Sequence, residues 1–147
     1  MILFCDTSAL VKLYIVEPES VALKGLIAES EAVALCRIAW AEAYAALSRR
    51  AREIPADAHA IEAAKRAIAA DWPHFMVIEV SQSVVERAGD YADTFALRGY
   101  DSVQLAAACE MLAVSGVTLT FACFDTRLNK AARVLGLETP FLSPPPA

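Results

Sequence analysis

The chain has 147 residues, a formal net charge of −5 and a hydrophobic fraction of 57%. This length suits one domain with a substantial core. The negative net charge argues against a protein that binds nucleic acid mainly through its overall electrostatic potential. No apolar run approaches the roughly 20 residues that span a bilayer, and the N-terminal run lacks the basic leader of a signal peptide. These features favour a cytoplasmic protein without a membrane segment, in which the apolar surplus forms a core or a partner surface.

Short apolar segments alternate with amphipathic segments along the whole chain. The predicted strands cover residues 1–5, 32–36, 75–80 and 117–124, with a short edge strand at 140–142. The predicted helices cover residues 9–14, a stretch that opens at 18, then 38–52, 56–70, 82–95, 101–115 and 126–135. Because strands and helices alternate, we expect an α/β protein with a parallel sheet covered on both faces.

The same pattern defines the domain organisation. Residues 1–142 are predicted to form a single domain, and residues 143–147, which are rich in proline, are predicted to form a flexible tail. The consecutive helices 38–52 and 56–70 predict a helical hairpin that stands off the sheet.

The cysteine and histidine residues carry no pattern of a metal or redox site. The cysteines stand singly in apolar stretches, without a C-x-x-C pair or a histidine cluster: Cys5, Cys36, Cys109 and Cys123. This arrangement is typical of buried free thiols. His59 and His74 have no context of a metal ligand or a general base.

Acidic residues occur where predicted strands give way to helices. Asp6 and Asp125 follow the first and fourth strands, Asp101 begins the most apolar helix, and Glu42 lies near the start of the helix after the second strand. Since the carboxyl ends of parallel strands meet at one edge of a sheet, we expect these carboxylates to converge. Without a fixed basic partner they would repel one another unless a cation neutralised them, and an all-oxygen set suits Mg²⁺ or Mn²⁺. The chemistry indicated is phosphodiester hydrolysis by metal-activated water.

Other residues near these acids have candidate supporting roles. Ser8 is a candidate for a hydroxyl or water-mediated contact at the site, and Asn129, one turn after Asp125, directs its amide to the same end of its helix. A purely structural interpretation is also open, because each aspartate is a good helix N-cap and Asp101 with Gln104 resembles a capping box. The joint pattern of all four acids favours a metal site over isolated helix caps.

Three segments carry a family resemblance: Phe4-Cys5-Asp6-Thr7-Ser8-Ala9-Leu10, Tyr100-Asp101-Ser102-Val103-Gln104-Leu105-Ala106-Ala107-Ala108 and Phe124-Asp125-Thr126-Arg127-Leu128. Together with the glutamate of Ala39-Trp40-Ala41-Glu42, they make residues 1–142 resemble the PIN-domain family. The likeness is greatest to the VapC-type toxins of bacterial toxin–antitoxin pairs. The resemblance implies a five-stranded parallel sheet of order 3-2-1-4-5 and a Mg²⁺- or Mn²⁺-dependent endoribonuclease.

The resemblance also implies roles for residues and a set of partners. The metal-binding and catalytic acids would be Asp6, Glu42, Asp101 and Asp125. Ser8 or Thr7 would supply a hydroxyl, and Asn129 would give support. The implied partners are a cognate antitoxin that covers the helical surface, an RNA substrate and a second toxin subunit in a homodimer.

Three basic clusters are candidates for contacts with RNA phosphates: Arg49, Arg50 and Arg52; Lys65 and Arg66; and Arg127, Lys130 and Arg133. Such runs are usually solvated helix faces. We favour an RNA-binding role only for Arg127 and Lys130, because they begin beside Asp125.

Two rival functions remain open at this stage. An aspartate after the first strand also suits a phosphotransferase that forms an aspartyl-phosphate, but that site requires a second aspartate where this chain has Ser8. The chain is alternatively a non-catalytic binding module that keeps the fold, although the presence of all four acids does not indicate a loss of activity.

Overall fold

The computed structural model describes residues 1–142 and contains one parallel four-stranded sheet of order β3-β2-β1-β4. The predicted tail at 143–147 lies outside the described residues. The strands are β1 (Ile2–Cys5), β2 (Ala32–Cys36), β3 (Met76–Ile78) and β4 (Leu119–Ala122). The helices are α1 (Thr7–Tyr14), α2 (Ser20–Glu29), α3 (Ala39–Glu53), α4 (Ala58–Asp71), α5 (Gln82–Phe95), α6 (Gly99–Ser115) and α7 (Thr126–Val134), and short 3₁₀ turns flank α4 at Pro55–Asp57 and Trp72–His74.

The first strand is central, with a parallel neighbour on each side. Ile2 lies opposite Ala32 of β2 and Leu119 of β4, so the three strands run in register. Parallel pairing places the carboxyl ends of all these strands at one edge of the sheet. The expected α/β class with a parallel sheet is confirmed.

The expected fifth strand is reduced to a single bridge. Thr120 of β4 forms a parallel bridge with Glu138, supported by a hydrogen bond of 2.8 Å from the Phe121 amide to the Glu138 carbonyl. The prediction of a strand at 140–142 was wrong, because the contact occurs two residues earlier and a turn begins at Pro140. Proline has no amide hydrogen with which to continue the ladder.

Helices cover both faces of the sheet. Ile2 and Phe4 of β1 belong to the core cluster that packs against α6 and α7. Leu3 and Cys5 point to the opposite face and pack with residues of α1 and α2. Because alternate side chains of a strand point to opposite faces, one fully buried strand anchors both layers.

The predicted helical hairpin forms from α3 and α4, but it does not stand off the sheet. Leu47 of α3 and Ile61 of α4 are completely buried in one cluster with Leu10 of α1 and Leu35 of β2. The apolar stripes of the two helices are buried against the domain, since removing apolar surface from water is favourable. The hairpin is therefore part of the core that supports α3.

Two further expectations from the sequence concern the state of the cysteines and membrane-spanning helices. The four cysteines are free and buried, as predicted. Within residues 1–142, no helix combines the length and the apolar character that crossing a bilayer requires.

Candidate active site

The four predicted acids lie around one cleft at the carboxyl edge of the sheet. The cleft has a volume of about 270 Å³. Its lining combines these carboxylates with hydroxyl, amide, guanidinium and aromatic groups: Asp6, Thr7, Ser8, Glu42, Arg98, Asp101, Gln104, Phe124 and Asp125. Neither His59 nor His74 is among these lining residues.

Asp6 is the most buried acid of the cleft, with only 4% of its surface exposed. It follows β1 and caps α1: its Oδ1 accepts a hydrogen bond of 3.0 Å from the Ala9 amide and one of 2.6 Å from the Ser8 hydroxyl. The pKa of Asp6 is raised to about 6: burial is the main cause, the nearby charge of Asp101 adds to it, and the hydrogen bonds from Ser8 and Ala9 partly oppose it. The carboxylate of Asp6 is therefore costly to keep ionised unless a cation is present.

Ser8 links the two strand ends that carry aspartates. Its Oγ donates to Asp6 and accepts a hydrogen bond of 3.2 Å from the Phe124 amide. The backbone adds a second link, because the Asp6 amide donates to the Ala122 carbonyl at 3.1 Å. The loop after β4 is thus fixed to the start of α1.

Asp125 caps α7 through a hydrogen bond of 2.8 Å from the Leu128 amide to its Oδ1. One turn later, Asn129 is 1% exposed, and its Nδ2 donates to the Cys123 carbonyl at 2.7 Å. Asn129 is not among the cleft-lining residues. Its contact fixes the segment between β4 and α7, and so supports Asp125 from behind.

Glu42 is held by side chains of two other helices. Its Oε1 accepts hydrogen bonds from the Thr7 hydroxyl at 2.9 Å and from Gln104 Nε2 at 2.8 Å, and Gln104 Nε2 also donates to Thr7 Oγ1 at 3.1 Å. Both bonds occupy the same oxygen of Glu42. Gln104 is 2% exposed, and its Oε1 is buried without a hydrogen-bond partner among the described residues.

The first turn of α6 departs from the sequence prediction. The helix begins at Gly99, where a loop was expected, and the cap position is Arg98. The alternative interpretation of Asp101 as an N-cap in a capping box with Gln104 was therefore wrong: the Ser102 amide donates to the Arg98 carbonyl at 2.9 Å and closes the turn earlier. Asp101 is left free of capping and faces the cleft.

Asp101 has a basic partner that the sequence interpretation did not anticipate. Arg98 Nε lies 3.2 Å from Asp101 Oδ2, three residues apart on the chain. The side chain of Arg98 is 81% exposed, and exposed ion pairs contribute little because water screens them. The acidic cleft is thus only partly neutralised by this guanidinium.

Of the two basic residues predicted to bind RNA, one lies beside the acids and the other does not. Arg127 lines an adjoining cavity of about 350 Å³ together with Arg98, Asp101 and Asp125, and it donates to the Ala96 carbonyl at 3.1 Å. Lys130 is exposed on α7 and lines neither cavity.

The donor set fits a hydrated Mg²⁺ or Mn²⁺ ion. Its ligand atoms are hard oxygens, which these ions prefer, and a bound cation would offset the cost of ionising the buried Asp6, whose pKa is raised in its absence. Within residues 1–142, no three acidic, histidine or cysteine side chains lie close enough together to hold a metal ion as a group. Mg²⁺ commonly keeps several waters and binds through one or two carboxylates, so an open set of acids is compatible with it.

The acidic cleft is not the largest depression of the described chain. One of about 720 Å³ lies at the outer edge of the sheet, beside Thr120 and Thr139. Glu138 is the only carboxylate among its described lining residues. The convergence of several acids, rather than cavity size, therefore identifies the site.

A family model described as PIN domain matches residues 3–134. The chain belongs to the PIN-domain family. Among curated relatives of this PIN domain, ribonuclease VapC45 of Mycobacterium tuberculosis (strain CDC 1551 / Oshkosh) is 34% identical over 139 residues, covering 92% of each chain. The resemblance to VapC-type PIN proteins expected from the sequence is thereby confirmed.

Two solved structures share the PIN fold of this chain. A toxin–antitoxin complex from Klebsiella pneumoniae gives a TM-score of 0.59 at 20% identity, covering 86% of this chain and 88% of that chain. VapBC2 from Rickettsia felis, bound to a DNA fragment from their promoter, gives a TM-score of 0.63 at 14% identity, covering 95% and 97%. At these identities the likeness establishes the fold alone.

Sequence reasoning missed three residues that line the PIN-domain cleft: Arg98, Gln104 and Phe124. A signal for Gln104 existed: it is a long polar residue between Val103 and Leu105 in the most apolar helix, and a buried amide requires a partner. Arg98 gave no comparable signal, because its pairing with Asp101 depends on where α6 begins.

Proposed function

We propose that this chain is a Mg²⁺- or Mn²⁺-dependent endoribonuclease and the toxin of a toxin–antitoxin pair. The observation that carries the proposal is the convergence of Asp6, Glu42, Asp101 and Asp125 on one cleft. The relatives add support, since proteins about one-third identical over nearly the whole chain carry the name ribonuclease VapC.

In this proposal the four acids hold the ion and act as the catalytic residues. A bound divalent ion lowers the pKa of a coordinated water and stabilises the negative charge that develops on the phosphate. The chain's own residues position the acids: Ser8 and Ala9 hold Asp6 by Oδ1, while Thr7 and Gln104 hold Glu42 by Oε1. Ordering the acids in advance lowers the cost of arranging them when substrate binds.

The proposed partners follow from the relatives and from solved structures of the same fold. A cognate antitoxin is supported by the toxin–antitoxin complex of Klebsiella pneumoniae. A homodimer and action on RNA in the cytoplasm complete the proposal.

Cleavage of RNA by the purified protein tests this function. We expect cutting only with Mn²⁺ or Mg²⁺, and a loss of at least about 100-fold in Asp6→Asn and Asp101→Asn, because each change removes a charged ligand. Asp93→Asn, which changes an exposed acid on α5, is the matched control and should cut normally. Equal cutting by all variants would assign the activity to a contaminant, and absence of both cutting and Mn²⁺ binding would favour the non-catalytic binding module.

A further inference from the structure

A second groove follows α3 beside the acidic cleft. It has a volume of about 620 Å³, and Glu42 lines both the groove and the cleft, so the two adjoin at this residue. Ala41, Ala45 and Ala46 line the groove along α3, with Tyr100, Arg49 and Arg52 also lining it. Because alanine side chains are small, they leave open space beside the acidic cleft.

The aromatic and basic residues of this groove are available to a ligand. Tyr100 is 67% exposed, directly before Asp101 in α6. Arg49 makes only an exposed ion pair of 3.4 Å with Glu53, and such pairs exchange at little cost. Arg52 is exposed near the end of α3 and makes no ion pair with another described residue.

The middle arginine of the same cluster has a different environment. Arg50 is half-buried and pairs with Glu17 at 3.5 Å and with Asp57 at 3.3 Å. It links α3 to the loop before α2 and to the turn before α4. The basic cluster is therefore divided, with Arg50 committed to the fold and its two neighbours directed to the groove.

We infer that this groove receives the RNA strand on one side of the scissile phosphate. Tyr100 stacks on an unpaired base, while Arg49 and Arg52 contact the phosphates that follow. The inference rests on the proposed ribonuclease function and adds the path of the substrate and the residues that hold it.

Electrostatics and stacking both support a nucleic-acid occupant. With a net charge of −5 and a cluster of carboxylates at the cleft, phosphates next to the cut are repelled unless local arginines attract them. Arg98 and Arg127 line the cavity on the other side of the acids, so the cleft has basic residues on both sides. An exposed aromatic ring stacks on a base that is not already stacked in a duplex.

Binding of RNA, measured separately from cleavage, tests the inference. The parent is Asp6→Asn, which prevents cutting during the measurement. Fluorescence anisotropy is followed with a labelled, unstructured RNA of about ten nucleotides and with the same strand in a duplex. The variants in this background are Tyr100→Ala, Tyr100→Phe and Arg52→Gln, with Arg66→Gln on the exposed face of α4 as the matched charge control.

We expect the parent to prefer the single strand. Tyr100→Ala should weaken binding by about 5-fold or more, while Tyr100→Phe, which keeps the ring, should bind like the parent. Arg52→Gln should weaken binding and reduce the slope of log affinity against log salt by roughly 0.7, the amount for one phosphate contact on a single strand. Arg66→Gln should change neither quantity.

Several results would overturn the inference. These are no binding by the parent, equal binding of the duplex, or Tyr100→Ala and Arg52→Gln variants that bind like the parent. Weaker binding accompanied by a changed oligomeric state in light scattering would also overturn it, because the groove would then be an interface between copies. Failure of this inference is distinguishable from failure of the ribonuclease proposal. If the wild-type protein cuts RNA, the ribonuclease proposal stands whatever the groove variants do. If RNA binding depends on the groove but no metal-dependent cutting occurs, only the groove inference stands.

Discussion

The two sides of the acidic cleft are built in different ways. Asp6 and Asp125 follow neighbouring strands β1 and β4, and backbone amides hold both through helix caps. Glu42 and Asp101 lie in the first turns of α3 and α6, and side chains hold them: Thr7 and Gln104 for the first, Arg98 for the second. The strand side is thus fixed by the fold itself, whereas the helix side depends on individual side chains.

This difference leads to different consequences of mutation. A carboxylate held by backbone amides keeps its place when neighbouring side chains change. A carboxylate held by side chains moves when those side chains are removed. The predictions below change one side at a time, from the largest expected effect to the smallest.

The largest effect concerns the pH dependence of stability on the strand side. The pKa of Asp6 is about 6 in the folded protein and about 3.8 for an unperturbed aspartate. The metal-free folded state is therefore favoured at low pH, and it loses stability as pH rises from about 4 through about 6, by about 3 kcal/mol. Above that range the full penalty of ionising Asp6 is present.

Unfolding by urea in a chelator, at about pH 4 and about pH 8, measures this loss. Asp6→Asn keeps an acceptor oxygen but does not ionise, so its stability relative to wild type should rise with pH. Asp93→Asn should show no such trend. Equal pH dependence of wild type and Asp6→Asn would show that burial does not disfavour the charge of Asp6.

On the helix side, Gln104→Met should weaken Mn²⁺ binding about 10- to 100-fold, the usual result of removing a hydrogen-bond partner of a metal ligand. Methionine has a similar length but no N–H to hold Glu42. Calorimetric titration of Mn²⁺ measures the effect, and Gln82→Met, on the exposed start of α5, is the control. If Gln104→Met lost stability but kept its Mn²⁺ affinity, Gln104 would be a core residue without a role in positioning Glu42.

The smallest effect is expected for Arg98→Gln. Its ion pair with Asp101 is largely exposed, so the change should alter Mn²⁺ binding by less than about 1 kcal/mol. The direction should be tighter binding, since a cation beside Asp101 has been removed. A large loss of Mn²⁺ affinity, with Arg66→Gln unaffected, would contradict the account of Arg98 as a weak, exposed partner.

The same contrast explains what the sequence could predict. Asp6 and Asp125 each end an apolar strand, and parallel strands bring their ends together, so their shared edge follows from local pattern alone. Glu42 and Asp101 were associated with them because each lies near the start of a helix, and the family resemblance supported this, although nothing local fixes how α3 and α6 are oriented. Gln104 was interpreted as a local capping residue, whereas its partners Thr7 and Glu42 are 97 and 62 residues away in sequence.

Two boundaries were placed wrongly in the sequence interpretation. The start of α6 was placed at Asp101, but the hydrogen bond from the Ser102 amide to the Arg98 carbonyl closes the first turn earlier, so the helix begins at Gly99. The edge strand at 140–142 was predicted from apolar residues without allowing for Pro140. Backbone hydrogen bonding decided both boundaries: a bond that forms in the first case and a missing amide hydrogen in the second.

The central claim is that the two sides of the cleft form one divalent-metal site. Calorimetric titration of Mn²⁺ into wild type, Asp6→Asn from the strand side, Glu42→Gln from the helix side, and the surface control Asp93→Asn tests it most directly. The account predicts that both site variants lose at least about 10-fold in affinity, while the control binds like wild type. Binding of Mn²⁺ by both site variants with wild-type affinity would contradict it.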